Sequence, residues 1–303
     1  MKAFVIIATK GRPRETARLL DYLAVQTLPA TRIYICGTGP ADIELAARHP
    51  LALDGTVTAF VSDQMGSTWQ RNAASRHMLA DGGDQDFAAF FDDDFVPAAD
   101  WLARCADYFT AMPDVATLTG QVLADGVRQA SLSYEDADAY VAGVRPAEKH
   151  WASGDAVRDI SAVYGCNMAA RLNVVRDCPF DERLPLYAWQ EDRDFTGQVL
   201  KYGRAIYAPN CRGVHLGVKA GRTSGLRFGY SQVANPIYLS GKKTMPPRVA
   251  ARFVGRALAS NTIKTVLRRT ALFDYPGRLR GNVMALTDLV RGRCIPERIL
   301  DLR

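Results

Sequence analysis

Several marks of specialised protein classes are missing from this 303-residue chain. Its six cysteines (36, 105, 166, 178, 211 and 294) are scattered, with no CxxC pair and no histidine at zinc spacing. That excludes a zinc module and a CxxC redox centre, and the thiols are expected to be reduced rather than bridged. No apolar run approaches the ~20 residues that a helix needs to span a bilayer. The opening run 3–8 is short and is followed by no small-residue cleavage site, so no signal peptide is expected and the expected location is cytoplasmic. Internal repeats and low-complexity segments are absent, which excludes solenoid and fibrous architectures. No stripe of interleaved basic and aromatic residues is present, so no nucleic-acid partner is expected.

Charge is present but unevenly placed. Residues 241–303 hold 14 Lys and Arg against 4 Asp and Glu, a net of +10. The whole chain is +6, which leaves residues 1–240 at −4. An acidic body with a basic tail suits a tail that meets an anionic surface. From Pro246 the tail interleaves Phe253, Leu258, Ile263, Val266 and Leu267 with Arg and Lys, a basic amphipathic helical pattern. Contact of 246–303 with a membrane, packing on the body and a homodimer are all compatible with that pattern.

The first hundred residues alternate between two periods. Apolar runs at 3–8, 32–36, 57–61 and 87–91 read as buried strands. Between them, segments beginning at Pro13, near Ile43 and at Trp69 read as helices, the first with Leu19, Leu20 and Leu23 on one face. Strand–helix alternation of this kind builds an α/β fold around a mainly parallel sheet, with ligands beyond the carboxyl ends of the strands. Thr9–Lys10–Gly11–Arg12, Cys36–Gly37–Thr38 and Asp92–Asp93–Asp94 all fall there. The second half is less regular. Its polar stretch 134–159 reads as an excursion, and 189–202 as a helix entered through acidic residues.

Three constellations carry chemistry. Most acidic turns are merely solvated, but Asp92–Asp93–Asp94 follows FAAFF directly and is therefore fixed at the sheet edge. Adjacent carboxylates repel one another there unless a cation neutralises them. Mn²⁺ or Mg²⁺ is the expected cofactor, since hard ions take carboxylates together with substrate phosphates. The second constellation is Phe180–Asp181–Glu182 followed by Trp189–Gln190–Glu191–Asp192. A carboxylate at a helix start can act as a general base, and Trp189 can stack on a sugar, although helix-dipole charge alone would also explain the acids. The third is His215, which in isolation reads more readily as a packed residue than as a metal ligand.

The order of these motifs resembles the inverting family-2 glycosyltransferases of the GT-A fold. The resemblance covers about residues 3–240. It lies in FVIIATKGRPRETARLLDYLAVQT, in Gly66 to Asn72, in Phe91–Asp92–Asp93–Asp94 with Pro97, Trp101 and Leu102, in Tyr164 to Arg171, in FDE, WQED and KYG, and in His215. It implies a GT-A domain over 1–240, with a nucleotide-binding half at 1–100 and an acceptor half at 101–240. The remainder, 241–303, is then a basic helical appendage.

The resemblance also implies roles. Asp94 would bind the metal, with Asp92 on ribose or metal-bound water and His215 as the ligand from the second half. Thr9, Arg12, Gly66, Arg71, Asn72 and Asp93 would border the donor nucleotide, and Arg222 and Arg227 could fold over its diphosphate. Asn167 and Trp189 would face the acceptor. Asp192 would be the base, with Glu191 in reserve. The donor implied is a nucleotide-diphosphate sugar, a UDP-sugar first, although the aspartate that many relatives carry after the second strand is absent at Ile35–Cys36–Gly37–Thr38, which leaves the base open. The acceptor implied is a sugar on a lipid diphosphate at the inner face of the inner membrane, in bacterial polysaccharide or glycolipid synthesis. A sugar nucleotidyltransferase is the main rival, but its Gly-rich opening loop is missing, since 9–14 contains only Gly11. A non-catalytic nucleotide-sugar-binding protein is the other.

Overall fold

Alternating side chains in the first strand set the architecture. In β1 (Ala3–Ala8), Val5 and Ile7 point to one apolar cluster and Phe4 and Ile6 to another, so both faces of the strand are covered. The computed structural model describes residues 1–221, 223–268 and 272–302. Helix α1 (Pro13–Ala24) follows β1 with proline in its first turn and buries Thr16, Leu19, Leu20 and Leu23. Next come β2 (Arg32–Gly37), α2 (Pro40–Ala47), α3 (Pro50–Leu53), β3 (Val57–Val61) and α4 (Ser67–Asp81). The acidic turn lies between β4 (Phe87–Asp92) and β5 (Phe95–Pro97).

The second half comprises α5 (Trp101–Ala111), β6 (Val115–Asp125), α6 (Tyr134–Val141), β7 (Arg158–Asp159), β8 (Asn167–Arg171), α7 (Leu172–Asp177), α8 (Glu191–Val199) and β9 (Arg204–His215). The chain ends in α9 (Gly225–Gly241), α10 (Pro247–Val266) and α11 (Tyr275–Val290). The strand order is β3-β2-β1-β4-β8-β6-β9-β5, with β7 on β9. The sheet is parallel across β3-β2-β1-β4, and β8 then joins antiparallel between β4 and β6. The polar stretch 134–159, read from the sequence as an excursion, instead carries α6 and runs into β7, with Ala137 and Ala152 fully buried.

One motif shows how local sequence fixes this frame. The Gln–Thr that ends the first helical segment is a splice between layers. The Gln26 side chain donates to Ala98 O at 2.8 Å and accepts from Leu102 N at 3.1 Å, and Thr27 N donates to Ala99 O. Each buried Gln26 bond contributes about 1 kcal/mol, and together the bonds tie α1 to the segment just after the acidic turn.

Helices α9, α10 and α11 pack together through close backbone approach. A Cβ added at Gly281 would lie 2.1 Å from Leu226 O, and one at Gly229 would lie 2.1 Å from Arg278 O. Asn282 donates to Gly229 O across the same crossing, and Asn261 donates to Asn282. Residue 240, where the charge balance changes, lies in the last turn of α9. Among the described residues no helix is long and apolar enough to cross a membrane.

Candidate active site

Strand register assembles the acidic side of the site. Ala8 pairs with Asp92, so the ends of β1 and β4 lie side by side. After the Asp93–Asp94 turn, β5 returns antiparallel to β9 with Phe95 opposite His215, while β6 places Asp125 opposite His215 on the other edge. His215, the last residue of β9, is thereby held between Asp94 and Asp125 although it lies far from the acidic turn in the chain. The turn rests on aromatics: Phe91 stacks on Phe95 at 5.4 Å and meets Trp101 edge-on at 4.7 Å.

The three aspartates have different surroundings. Asp93 is buried and accepts from Thr9 Oγ1 at 2.7 Å and Arg12 Nη1 at 2.8 Å. Asp94 is buried as well; its Oδ2 accepts from Val218 N at 2.7 Å. Its Oδ1 is buried without a hydrogen bond, flanked by His215 Nε2 at 3.3 Å and Arg12 Nη1 at 3.4 Å. Asp92 is the more exposed and pairs with Arg71 at 3.0 Å. One ligand atom from each of Asp92, Asp94 and His215 lies within 4.8 Å of the others. Two hard oxygens and an imidazole nitrogen, one of the oxygens buried and lacking a hydrogen bond, fit a divalent cation such as Mn²⁺ or Mg²⁺.

Arg71 joins this acidic turn to a second carboxylate pair. Its guanidinium reaches Asp92, Gly165 O at 2.9 Å and Glu191 Oε1 at 2.6 Å. Glu191 and Asp192 begin α8, after Gln190 turns the chain at a left-handed φ of 76°. Asp192 accepts from Gly165 N at 3.1 Å and from Arg193 N at 2.7 Å, so its carboxylate is fixed by backbone donors.

Proton affinities diverge between the two groups. Burial would raise Asp94, but the positive charges of His215 and Arg12 outweigh it and hold the carboxyl to about 2. Asp93 goes the other way, to about 7, through burial and the Asp94 charge against the pull of Arg12. Burial also disfavours the His215 cation, yet Asp94 and Asp125 raise its affinity for a proton well above the ordinary imidazole range. Glu191 is pushed up to about 8 by burial and by Asp192, with Arg71 opposing, and Asp192 is raised mainly by burial.

Other residues singled out in the sequence have partners of their own. Arg12 also donates to Val218 O and Ala220 O, pinning 218–220 beside the acidic turn. Gly66 caps α4 and bridges Leu186. Asn72 exchanges bonds with Phe180 and also donates to Glu182, so in this structure it braces the loop before α8. Asn167 is fully buried in β8, its amide oxygen accepting from Thr119. Trp189 packs edge-on against Phe228 and Phe253 of the helical unit, while Tyr187 beside it is the more exposed aromatic. Arg227 donates to Leu302 O. Arg222 lies outside the described residues. A hollow lined by Asn72, Arg76, Phe180, Glu182 and Lys242 includes neither the acidic turn nor Asp192.

Sequence reasoning missed three contributors. Asp125 bonds His215 Nδ1 at 3.1 Å. Asp42 accepts from Gly11 N, Thr38 N, Thr38 Oγ1 and Gly39 N, holding the loop after β1 to the end of β2. Gln70 donates to Thr9 O and Cys36 O across the same two strand ends. Only Gln70 lay in a segment already singled out; the others become visible through pairing and loop closure.

Comparison with known proteins converges on one class. Residues 4–151 match the family described as Glycosyl transferase family 2. No protein of curated function matches the chain in sequence. Among solved structures, S. aureus TarS 1-349 in complex with UDP-GlcNAc superposes with a TM-score of 0.60 at 17% identity, over 99% of this chain and 83% of that one. The mannosyltransferase PcManGT from Pyrobaculum calidifontis, in complex with GDP-Man and Mn²⁺, gives 0.54 at 18% identity over 96% and 86%. GalNAc-T7 with UDP, GalNAc and Mn²⁺ gives 0.59 at 12% identity over 97% and 58%. Against a longer TarS structure this chain spans only 40% of the length. At these identities the likeness shows the GT-A fold.

Proposed function

We propose that this chain, whose residues 4–151 match glycosyl transferase family 2, is a glycosyltransferase that moves a sugar from a nucleotide-diphosphate donor to an acceptor hydroxyl with inversion, using Mn²⁺ or Mg²⁺. The observation that carries the metal dependence is the buried Asp94 Oδ1, without a hydrogen bond and grouped with Asp92 and His215. A divalent ion bound there would supply Lewis acidity for the charge that builds on the departing diphosphate.

The chain's own residues do the rest. Thr9, Arg12, Gly66, Asn72, Asp93 and Arg227 serve the donor side, directly or through the loops they hold, and Arg222 belongs to the same side. Arg71 keeps the acidic turn and α8 at a fixed separation, so donor and base are positioned together. Gly165 N–H and Arg193 N–H aim the Asp192 carboxylate, which takes the acceptor hydroxyl's proton as that oxygen bonds to the anomeric carbon and the carbon–diphosphate bond breaks. Attack opposite the leaving group inverts the configuration. Glu191, bound to Arg71, is the reserve base, and Asn167 and Trp189 shape the acceptor side from beneath. The donors bound by TarS and PcManGT, UDP-GlcNAc and GDP-Man, support a UDP- or GDP-sugar here.

The finer reading is a cytoplasmic enzyme of polysaccharide or glycolipid synthesis that works on a lipid-diphosphate-linked sugar at the membrane face. Supporting it, the basic 241–303 segment exposes Ile263, Val266 and Leu267 beside Lys264 at the end of α10. Sedimentation with anionic vesicles tests this against a homodimer contact. For the reaction itself, UDP or GDP release from a panel of nucleotide-sugars should require Mn²⁺ or Mg²⁺ and rise with acceptor. NMR of the product should show the inverted anomer. Release unaffected by chelation would refute the metal dependence, and a retained anomer would refute the single displacement.

A further inference from the structure

The carboxylate of Asp125 is enclosed by donors from three parts of the fold. Its Oδ1 accepts from Val127 N at 3.0 Å and faces His215 Nδ1 at 3.1 Å. Its Oδ2 accepts from Tyr164 OH at 2.9 Å and lies 3.3 Å from His150 Nε2. The backbone bond to Val127 closes a local turn that fixes the carboxylate's plane. Tyr164 meets the His215 ring edge-on at 5.9 Å, and His150 stacks on Tyr164 at 5.5 Å, so the imidazole is confined from the side as well.

We propose that Asp125 is a positioning residue that sets the tautomer and orientation of His215, so that Nε2 is presented to the cation held with Asp92 and Asp94. The inference rests on the metal reading above. Its physical basis is that an ionised carboxylate can only accept. The proton between Asp125 and His215 therefore sits on Nδ1, and in the neutral ring the lone pair is left on Nε2. That is the nitrogen 3.3 Å from Asp94 Oδ1. The negative charge behind the ring also makes Nε2 a stronger donor to a metal. The β6–β9 register that sets Asp125 opposite His215 supplies this arrangement from the sheet itself. Through Oδ2 the same carboxylate anchors His150 and Tyr164, so the segment before β8 is tied to the ligand's geometry.

The test is Mn²⁺ affinity of the full chain, read from the free-ion EPR signal, for wild type, Asp125→Asn, Asp125→Ala and His215→Ala, with far-UV circular dichroism of each metal-free variant. Asp125→Ala should weaken Mn²⁺ binding by about 10- to 100-fold, as loss of an outer-shell partner typically does. Asp125→Asn retains an acceptor for Nδ1–H but not the charge, so it should bind at least threefold more weakly than wild type and more tightly than Asp125→Ala. Wild-type affinity in a folded Asp125→Ala, with affinity lost in His215→Ala, would overturn the positioning role and leave the metal reading intact. Should Asp125→Ala fail to fold, Asp125→Asn decides, and wild-type affinity there overturns the proposal. Unchanged affinity in His215→Ala would instead refute the metal site.

Discussion

The two carboxylate groups joined by Arg71 use the same chemistry to opposite ends. At the acidic turn Asp94 is surrounded by cationic partners, Arg12 and His215, and its proton affinity falls to about 2. At the start of α8, Glu191 and Asp192 crowd each other with Arg71 paired to Glu191, and Glu191 rises to about 8. A carboxylate that stays ionised suits a cation. One that holds a proton near neutrality suits proton transfer. Environment alone divides the roles: burial raises the affinity of both groups, the positive charges of His215 and Arg12 outweigh it at Asp94, and the negative charge of Asp192 adds to it at Glu191.

The sharpest way to break the contrast is at Asp94. Asp94→Asn keeps the shape but removes the charge that faces His215 and Arg12. Turnover should fall about 10³-fold, and the shift in melting temperature on adding Mn²⁺ should disappear, because a ligand that binds only the native state stabilises it. Retention of the Mn²⁺ shift with normal turnover would remove Asp94 from the metal role.

A smaller, more selective loss is expected on the other side. Asp192→Asn should lower kcat by about 10²-fold or more while leaving donor affinity near wild type, since the amide oxygen can still accept from one of the two backbone donors but the side chain cannot take a proton. Calorimetric titration of the donor separates the two quantities. Near-normal turnover in Asp192→Asn would transfer the role to Glu191.

That contrast was only partly legible in the sequence. Strands β1, β2 and β4 announce themselves because each is a short apolar run that both covering layers demand, and their ends locate the acidic turn. The antiparallel insertion of β8 and the pairing of β9 with β5 and β6 depend on partners far apart in the chain, which local pattern does not encode. Asp125 therefore looked like any strand-end acid until register placed it opposite His215. Asn72 and Trp189 show the converse limit. An amide on a helix and an indole beside an acidic pair read alike whether they face a ligand or brace a loop, and in this fold Asn72 holds Phe180 while Trp189 packs on Phe228 and Phe253.

The smallest expected effect is also the most direct probe of the electrostatic contrast. Asp192 must be ionised to accept a proton, and its affinity is raised by burial. The acid limb of kcat/KM should therefore lie above the ~4 of an ordinary aspartate, with activity falling as pH drops through it. Glu191 holds its proton up to about 8, so through that limb it is neutral, and Glu191→Gln replaces one neutral group by another. The limb should therefore stay in place, while activity well above it changes far less than in Asp192→Asn. A limb moved to lower pH would mean that Glu191 is already ionised beside Asp192 and repels its charge. A limb moved upward would mean that Glu191 acts chiefly by orienting Arg71, whose charge favours the Asp192 anion.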